Sequence, residues 1–179
     1  MSEPKTKSPP LSTSTRLRLE TQLDSLEAIV RGASQRMLDQ RPADGKWSAR
    51  EHLAHLGRYH EVFLERLDRM LAEDAPQLGR YRSEEDPDAA RWFRLPAPMI
   101  LDRMRELRAE LIERVAKLGP EDWRRTGVHP VFGEMSVLLW LEFFLAHEGH
   151  HFYAVFQRAR ERASWKMPRG HGAGRDAGV

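Results

Sequence analysis

Apolar residues in this chain recur at spacings of three and four along four long segments, and nowhere in sustained alternation. A stripe of that period suits an α-helix with one buried face, and four such stripes must find one another to leave water. The first segment, Thr13 to Val30, carries Leu17, Leu19, Leu23, Leu26 and Ile29, with Thr13 or Ser14 placed to cap it. The second opens on Ser48-Ala49-Arg50-Glu51, a capping box in which hydroxyl and carboxylate each satisfy a backbone N–H of the other's residue. Its stripe is His52, Leu56, Tyr59, Phe63, Leu67 and Met70, and it ends near Glu73. The third runs from about Pro98 to the stop signal Gly119-Pro120, along Met104, Leu107, Leu111 and Val115. The fourth runs from about Ser136 to about Arg162, along Val137, Leu141, Phe144, His147, Glu148, His151, Phe152 and Val155. Composition points the same way, with 21 leucines against 11 isoleucines and valines together. The expectation is an all-α four-helix bundle with strand content near zero.

Residues 1–11 read as a disordered N-terminal tail, 12–162 as the bundle and 163–179 as a disordered basic tail. A short helical turn is expected at Gln35–Asp39, then a loop at Arg41–Lys46. The link from second to third helix is long enough to require a crossover, with Trp92 and Phe93 tucked against the core. Trp123 is expected to anchor the irregular connector before the fourth helix.

The net charge of +2 is carried by the two ends, which leaves the middle slightly acidic and argues against a nucleic-acid-binding face. Cysteine is absent, so no thiol of this chain can act as a nucleophile and no disulfide can form. The polar, Pro-rich opening lacks the form of a signal peptide, and the most apolar run, Val137–Leu145, is short and holds Glu142. A soluble cytoplasmic protein without membrane partners is the expectation.

Seven of the eight histidines fall in or just before the second and fourth helices. A step of four residues turns a helix by only about 40° beyond a full turn, so His147 and His151 project from one face and can share a metal ion. The pair His147–His150 is also geometrically possible. A third ligand should come from the second helix, where His52 and His55 are both candidates. His60 reads as a surface residue, and His129, His150 and His171 as loop, exposed and tail residues. Glu148 reads either as a partner of the ligands or as exposed, Trp47 as packed at the helix start, and Tyr59 and Trp140 as core. Gly149, between the two histidines, reads either as a point of close approach or as neutral.

The stretch Gly45-Lys46-Trp47-Ser48-Ala49-Arg50-Glu51-His52-Leu53-Ala54-His55-Leu56 resembles the first signature of the DinB/YfiT-like superfamily. His147-Glu148-Gly149-His150-His151 resembles that family's later His-x-x-x-His, in the same order and at a similar separation. Gly119-Pro120-Glu121-Asp122-Trp123 and His129-Pro130-Val131-Phe132-Gly133 are similar to the linker before its fourth helix, so the resemblance covers about residues 12–160. It implies an up-down-down-up bundle and a metal site of His55, His147 and His151, which selects His55 over His52. It also implies a homodimer and a small-molecule substrate. Relatives of this kind include S-transferases and an isomerase that use a low-molecular-weight thiol, and metal-dependent hydrolases. Zinc or nickel is the expected metal, with iron or manganese also compatible with imidazole. A metal-dependent thiol S-transferase or hydrolase is the functional expectation, and a non-catalytic dimeric binding protein the alternative.

Overall fold

A computed structural model describes residues 11–160, so both expected tails beyond them, and His171, lie outside the described residues. Four long helices dominate: α1 (Thr13–Val30), α3 (Ala49–Ala72), α5 (Ala97–Ala116) and α6 (Val137–Arg160). Between them lie the short helices α2 (Gln35–Asp39) and α4 (Ala89–Phe93) and the strands β1 (Thr126–His129) and β2 (Gly133–Ser136). The capping box at Ser48 is formed in full, with both reciprocal hydrogen bonds. The cap of α1 falls one residue before the expected positions: Ser12 Oγ accepts from the Thr15 N–H at 3.0 Å. Leu11, just before it, packs against the core.

Helix directions follow from cross-helix pairs. Arg18 bonds Glu142 while Gln22, one turn on, bonds Glu148, so α1 and α6 run parallel. His55 meets His147 and Phe63 stacks on Phe144, so α3 and α6 are antiparallel. His60 meets Arg108 and Asp68 meets Arg114, so α3 and α5 run parallel. The result is an up-down-down-up bundle, in which α3 packs against both α5 and α6 rather than against α1. Parallel α3 and α5 require the chain to return along the whole bundle, which is the work of the segment between them.

That return segment is pinned at several points. Leu78 donates its N–H to the Val128 carbonyl at 2.9 Å, and Trp92 is buried against α3. Trp92 lies so close that a Cβ on Gly57 would stand 2.2 Å from its ring, so only glycine fits there. Its indole N–H donates to Glu61 at 2.9 Å.

The connector before α6 departs from the expected near-absence of strand. β1 and β2 pair antiparallel, with His129 opposite Gly133. The three residues Pro130–Phe132 make the turn, and Gly133 closes it at φ +72°, a left-handed conformation that favours glycine. Gly127 and Met135 lie opposite one another on the face the hairpin turns toward the bundle, where Met135 joins the core, while the backbone of Val128 anchors the return segment. Four-residue strands are too short to show alternation in sequence.

Candidate metal centre

Capping at Ser48 sets the rotation of α3, and its second turn then brings His55 to the bundle interior, 6% exposed. On α6, His147 and His151 face it from one side of the helix. One nitrogen from each of the three rings lies within 4.8 Å of the others. The His55 and His147 Nε2 atoms are 3.3 Å apart, and the ring centroids of His55 and His151 are 4.5 Å apart.

On His55 and His151 the nitrogens turned away are held by other groups. His55 Nδ1 is 2.6 Å from Ser83 Oγ, and His151 Nδ1 is 2.9 Å from His52 Nδ1. His147 Nδ1 is buried without a hydrogen-bond partner. Trp47 covers the cluster, its ring centroid 5.0 Å from that of His55, and Tyr59 lies 4.1 Å from the His147 ring. His52 thus stands behind His151, and His150 is exposed on the far side.

Burial holds all four rings neutral. Desolvation, reinforced by the neighbouring imidazoles, pushes His55 down to about 3. His52 and His147 are pushed to about 4, chiefly by burial, and His151 lower still for the same reason. Neutral imidazole is the form that binds a metal. Two neutral rings 3.3 Å apart at Nε2, with no protein cation between them, form a donor set suited to a divalent ion such as zinc, nickel or iron. The residues present therefore fit a metal.

Glu148 is neither exposed nor a partner of these rings. It projects about 60° round α6 from His151, wholly buried toward α1 and α5, where it pairs with Arg108, accepts from Gln22 Nε2 at 2.9 Å and lies 3.1 Å from His60 Nε2. Arg108 and its neighbours hold its carboxyl down to about 2 against the cost of burial. His60 is correspondingly buried, 1% exposed, and donates from Nδ1 to the Leu56 carbonyl at 2.8 Å; the surface position expected for it is corrected. The reason is that α3 sits between α5 and α6, so its buried arc is wider than one stripe. Gly149 faces open space, and a Cβ there would meet nothing within 4 Å, which removes close approach as its explanation.

The cluster forms one end of a cavity of about 710 Å³. Its wall includes Tyr59 and Arg66 of α3, Tyr81 and Ser83 of the return segment, and His129 and Phe132 of the hairpin. His129 was expected in a loop; it is a buried strand residue, stacked on Phe132. Ser83 and Tyr81 carry no spacing signal, because the return segment brings them in; Arg66 stands on α3 two turns after Tyr59, and only the cavity formed with the return segment and the hairpin singles it out.

The family model of the DinB superfamily matches residues 18–155. The chain belongs to the DinB superfamily. Among curated proteins similar to this DinB chain, YuaE of Bacillus subtilis (strain 168), which is named as uncharacterized, is 30% identical over 135 residues, 68% of this chain and 83% of that protein. A Bacillus mycoides (strain KBAB4) protein named "Putative metal-dependent hydrolase" is 26% identical over 145 residues, 79% of this chain and 81% of its own. Of solved structures, YfiT from Bacillus subtilis, described as a "probable metal-dependent hydrolase with an unusual four-helix bundle topology", aligns with a TM-score of 0.73 at 21% identity, over 92% of this chain and 94% of its own. TT2238, described as a four-helix bundle protein, aligns with a TM-score of 0.53 at 28% identity, over 79% of this chain and 95% of its own. These likenesses give the DinB chain its fold and family. Among the described residues, no helix is long and apolar enough to cross a membrane.

Proposed function

We propose that this DinB chain is a metal-dependent enzyme that holds one divalent ion on His55, His147 and His151 and delivers water or a low-molecular-weight thiol to a small electrophile. The observation that carries the reading is the convergence of three neutral ring nitrogens within 4.8 Å at the end of a large cavity. The name carried by the Bacillus mycoides relative, a metal-dependent hydrolase, supports the same reading.

A divalent ion at such a site supplies Lewis acidity, which eases deprotonation of water or a thiol near neutral pH. The chain's own residues keep the site ready. Ser83 orients the His55 ring and His52 orients that of His151, the role that outer partners of metal-binding histidines usually fill. Trp47 shields the rings from solvent. Three neutral ligands leave the ion's charge undiminished and coordination positions open to the cavity. Glu148 is unavailable as a general base, since Arg108, Gln22 and His60 occupy it inside the bundle. With no cysteine in the chain, S-transfer requires a thiol brought in as cosubstrate.

The test begins with elemental analysis of untagged protein, expected to give one equivalent of zinc or nickel. The loaded protein is then assayed with activated esters and amides, and separately with a small thiol and a fluorogenic electrophile. Turnover in either assay that is lost in His147→Ala supports the proposal. Absence of metal after incubation with zinc and nickel at neutral pH would leave a binding protein without chemistry.

A further inference from the structure

Three arginines are buried among the described residues, and two of them have carboxylate partners. Arg58 pairs with Asp86 and Glu65, and Arg108 with Glu148. Arg66, 7% exposed, has none. It donates to Tyr59 Oη at 3.1 Å and to the Gly79 carbonyl, and its guanidinium lies 5.2 Å from the Trp140 ring. Two of five N–H donors are thereby used. A buried cation without an anion is costly, so an anionic group reaching Arg66 would offset part of that cost.

Arg66 lines the cavity that ends at His55, His147 and His151. A second donor stands on the same wall. His129 Nδ1 accepts the N–H groups of Val131 at 3.1 Å and Phe132 at 3.2 Å, so the ring proton sits on Nε2. Burial, and after it Arg66 and exposed Arg80, push the His129 pKa down; Arg66, Arg80 and Arg82 all line this wall, against one carboxylate, Glu84. That carboxylate is exposed and makes no ion pair with Arg66. Much of the remaining wall is aromatic, including Tyr59, Tyr81, Phe132 and Phe143.

We propose that the cavity takes small planar carboxylates, with the carboxylate on Arg66 and the Nε2–H of His129 and the flat body among the aromatic side chains, so that the far end of the molecule faces the three histidines. The proposal rests on the reading of this cavity as the substrate site, and it names the substrate class. A guanidinium fork matches a carboxylate in two parallel hydrogen bonds, whereas an amide of the same shape cannot accept both.

The experiment uses metal-free full-length protein, so that no ion can bind the probe, and titrates it with benzoate, benzamide and inorganic phosphate by calorimetry. Benzoate is expected to bind, with benzamide weaker by about tenfold or more, the value of one charge-assisted hydrogen bond, and phosphate weaker because it has no flat body to lie among the aromatic side chains. Arg66→Lys keeps the charge and loses the fork, and is expected to weaken benzoate by a similar factor while still taking up one equivalent of zinc. In the wild type, the Arg66 side-chain ¹⁵Nε signal should shift on benzoate addition. Equal binding of benzoate and benzamide, tighter binding of phosphate, an unmoved Arg66 signal, or unchanged affinity in Arg66→Lys would each overturn the proposal. Arg66-dependent benzoate binding in a protein that takes up no zinc would sustain the carboxylate site and remove the metal-centre reading alone.

Discussion

Glu148 and Arg108 form an ion pair across α6 and α5 in which the carboxylate side chain has no solvent exposure and the guanidinium 4%. Arg108 also donates to the Leu19 carbonyl of α1 at 2.8 Å and lies 3.2 Å from His60 Nε2 of α3, so one side chain ties all four long helices together. Because Glu148 lies between His147 and His151 in sequence, fastening it toward α5 and α1 fixes the rotation of α6 that presents both histidines on the adjacent face, toward α3.

Removing Arg108 alone should therefore be severe. Arg108→Met leaves a buried, unpaired carboxylate, a change expected to cost about 3–5 kcal/mol of stability in urea unfolding. The double variant with Glu148→Gln should recover much of that loss. Equal stability of the single and double variants would show that the charge is relieved in some other way.

The histidines should separate by layer when metal is measured. His147→Ala and His151→Ala are expected to lose nearly all bound zinc, and His150→Ala to keep it, since His150 faces away. His52→Ala and Ser83→Ala touch the outer nitrogens only, and should bind zinc about 10–100-fold more weakly with the stoichiometry preserved. Loss of stoichiometric zinc in His52→Ala with retention in His55→Ala would reverse the assignment on α3.

Acid should weaken the metal-free protein before any carboxylate titrates. Unfolded histidine takes up a proton near its ordinary value of about 6.5, whereas native His52 and His147 stay neutral to about 4 and His55 to about 3. Between those limits the unfolded chain binds more protons, so stability rises with pH and falls as acid is added. The urea midpoint is expected to be clearly lower at about pH 5 than at about pH 7.5. A flat profile over that range would mean that the rings are hydrated in the native protein.

Two helical glycines should respond in opposite directions to the same change. Gly57→Ala drives a Cβ into the Trp92 ring, which is 1% exposed and hemmed in, and overpacking of this kind costs about 1–3 kcal/mol. Gly149→Ala enters open space in the middle of α6 and should stabilise by up to about 1 kcal/mol. Thermal melting of the two variants beside the wild type decides both.

The four long helices were legible as sequence because each is a local object: period, cap and stop signal lie within one stretch of chain, and Ser48 with Glu51 marks its helix start to the residue. The pairing of His147 with His151 was legible for the same reason, since one helical turn determines it. His55 or His52 was not decided by spacing, as both lie near the inward stripe of α3; the resemblance to the family selected His55. The burial of His60 and the occupation of Glu148 were illegible, because each depends on Arg108 arriving from another helix. So, too, were Ser83 behind His55 and the unpaired charge of Arg66, which the return segment and the hairpin enclose. Sequence by itself determined the helices and the turn that two histidines share, since those follow from backbone geometry within a few residues. The tertiary structure decided which side chains meet across the bundle, because that depends on helix order, direction and the path of the long connection, none of which has a local signal.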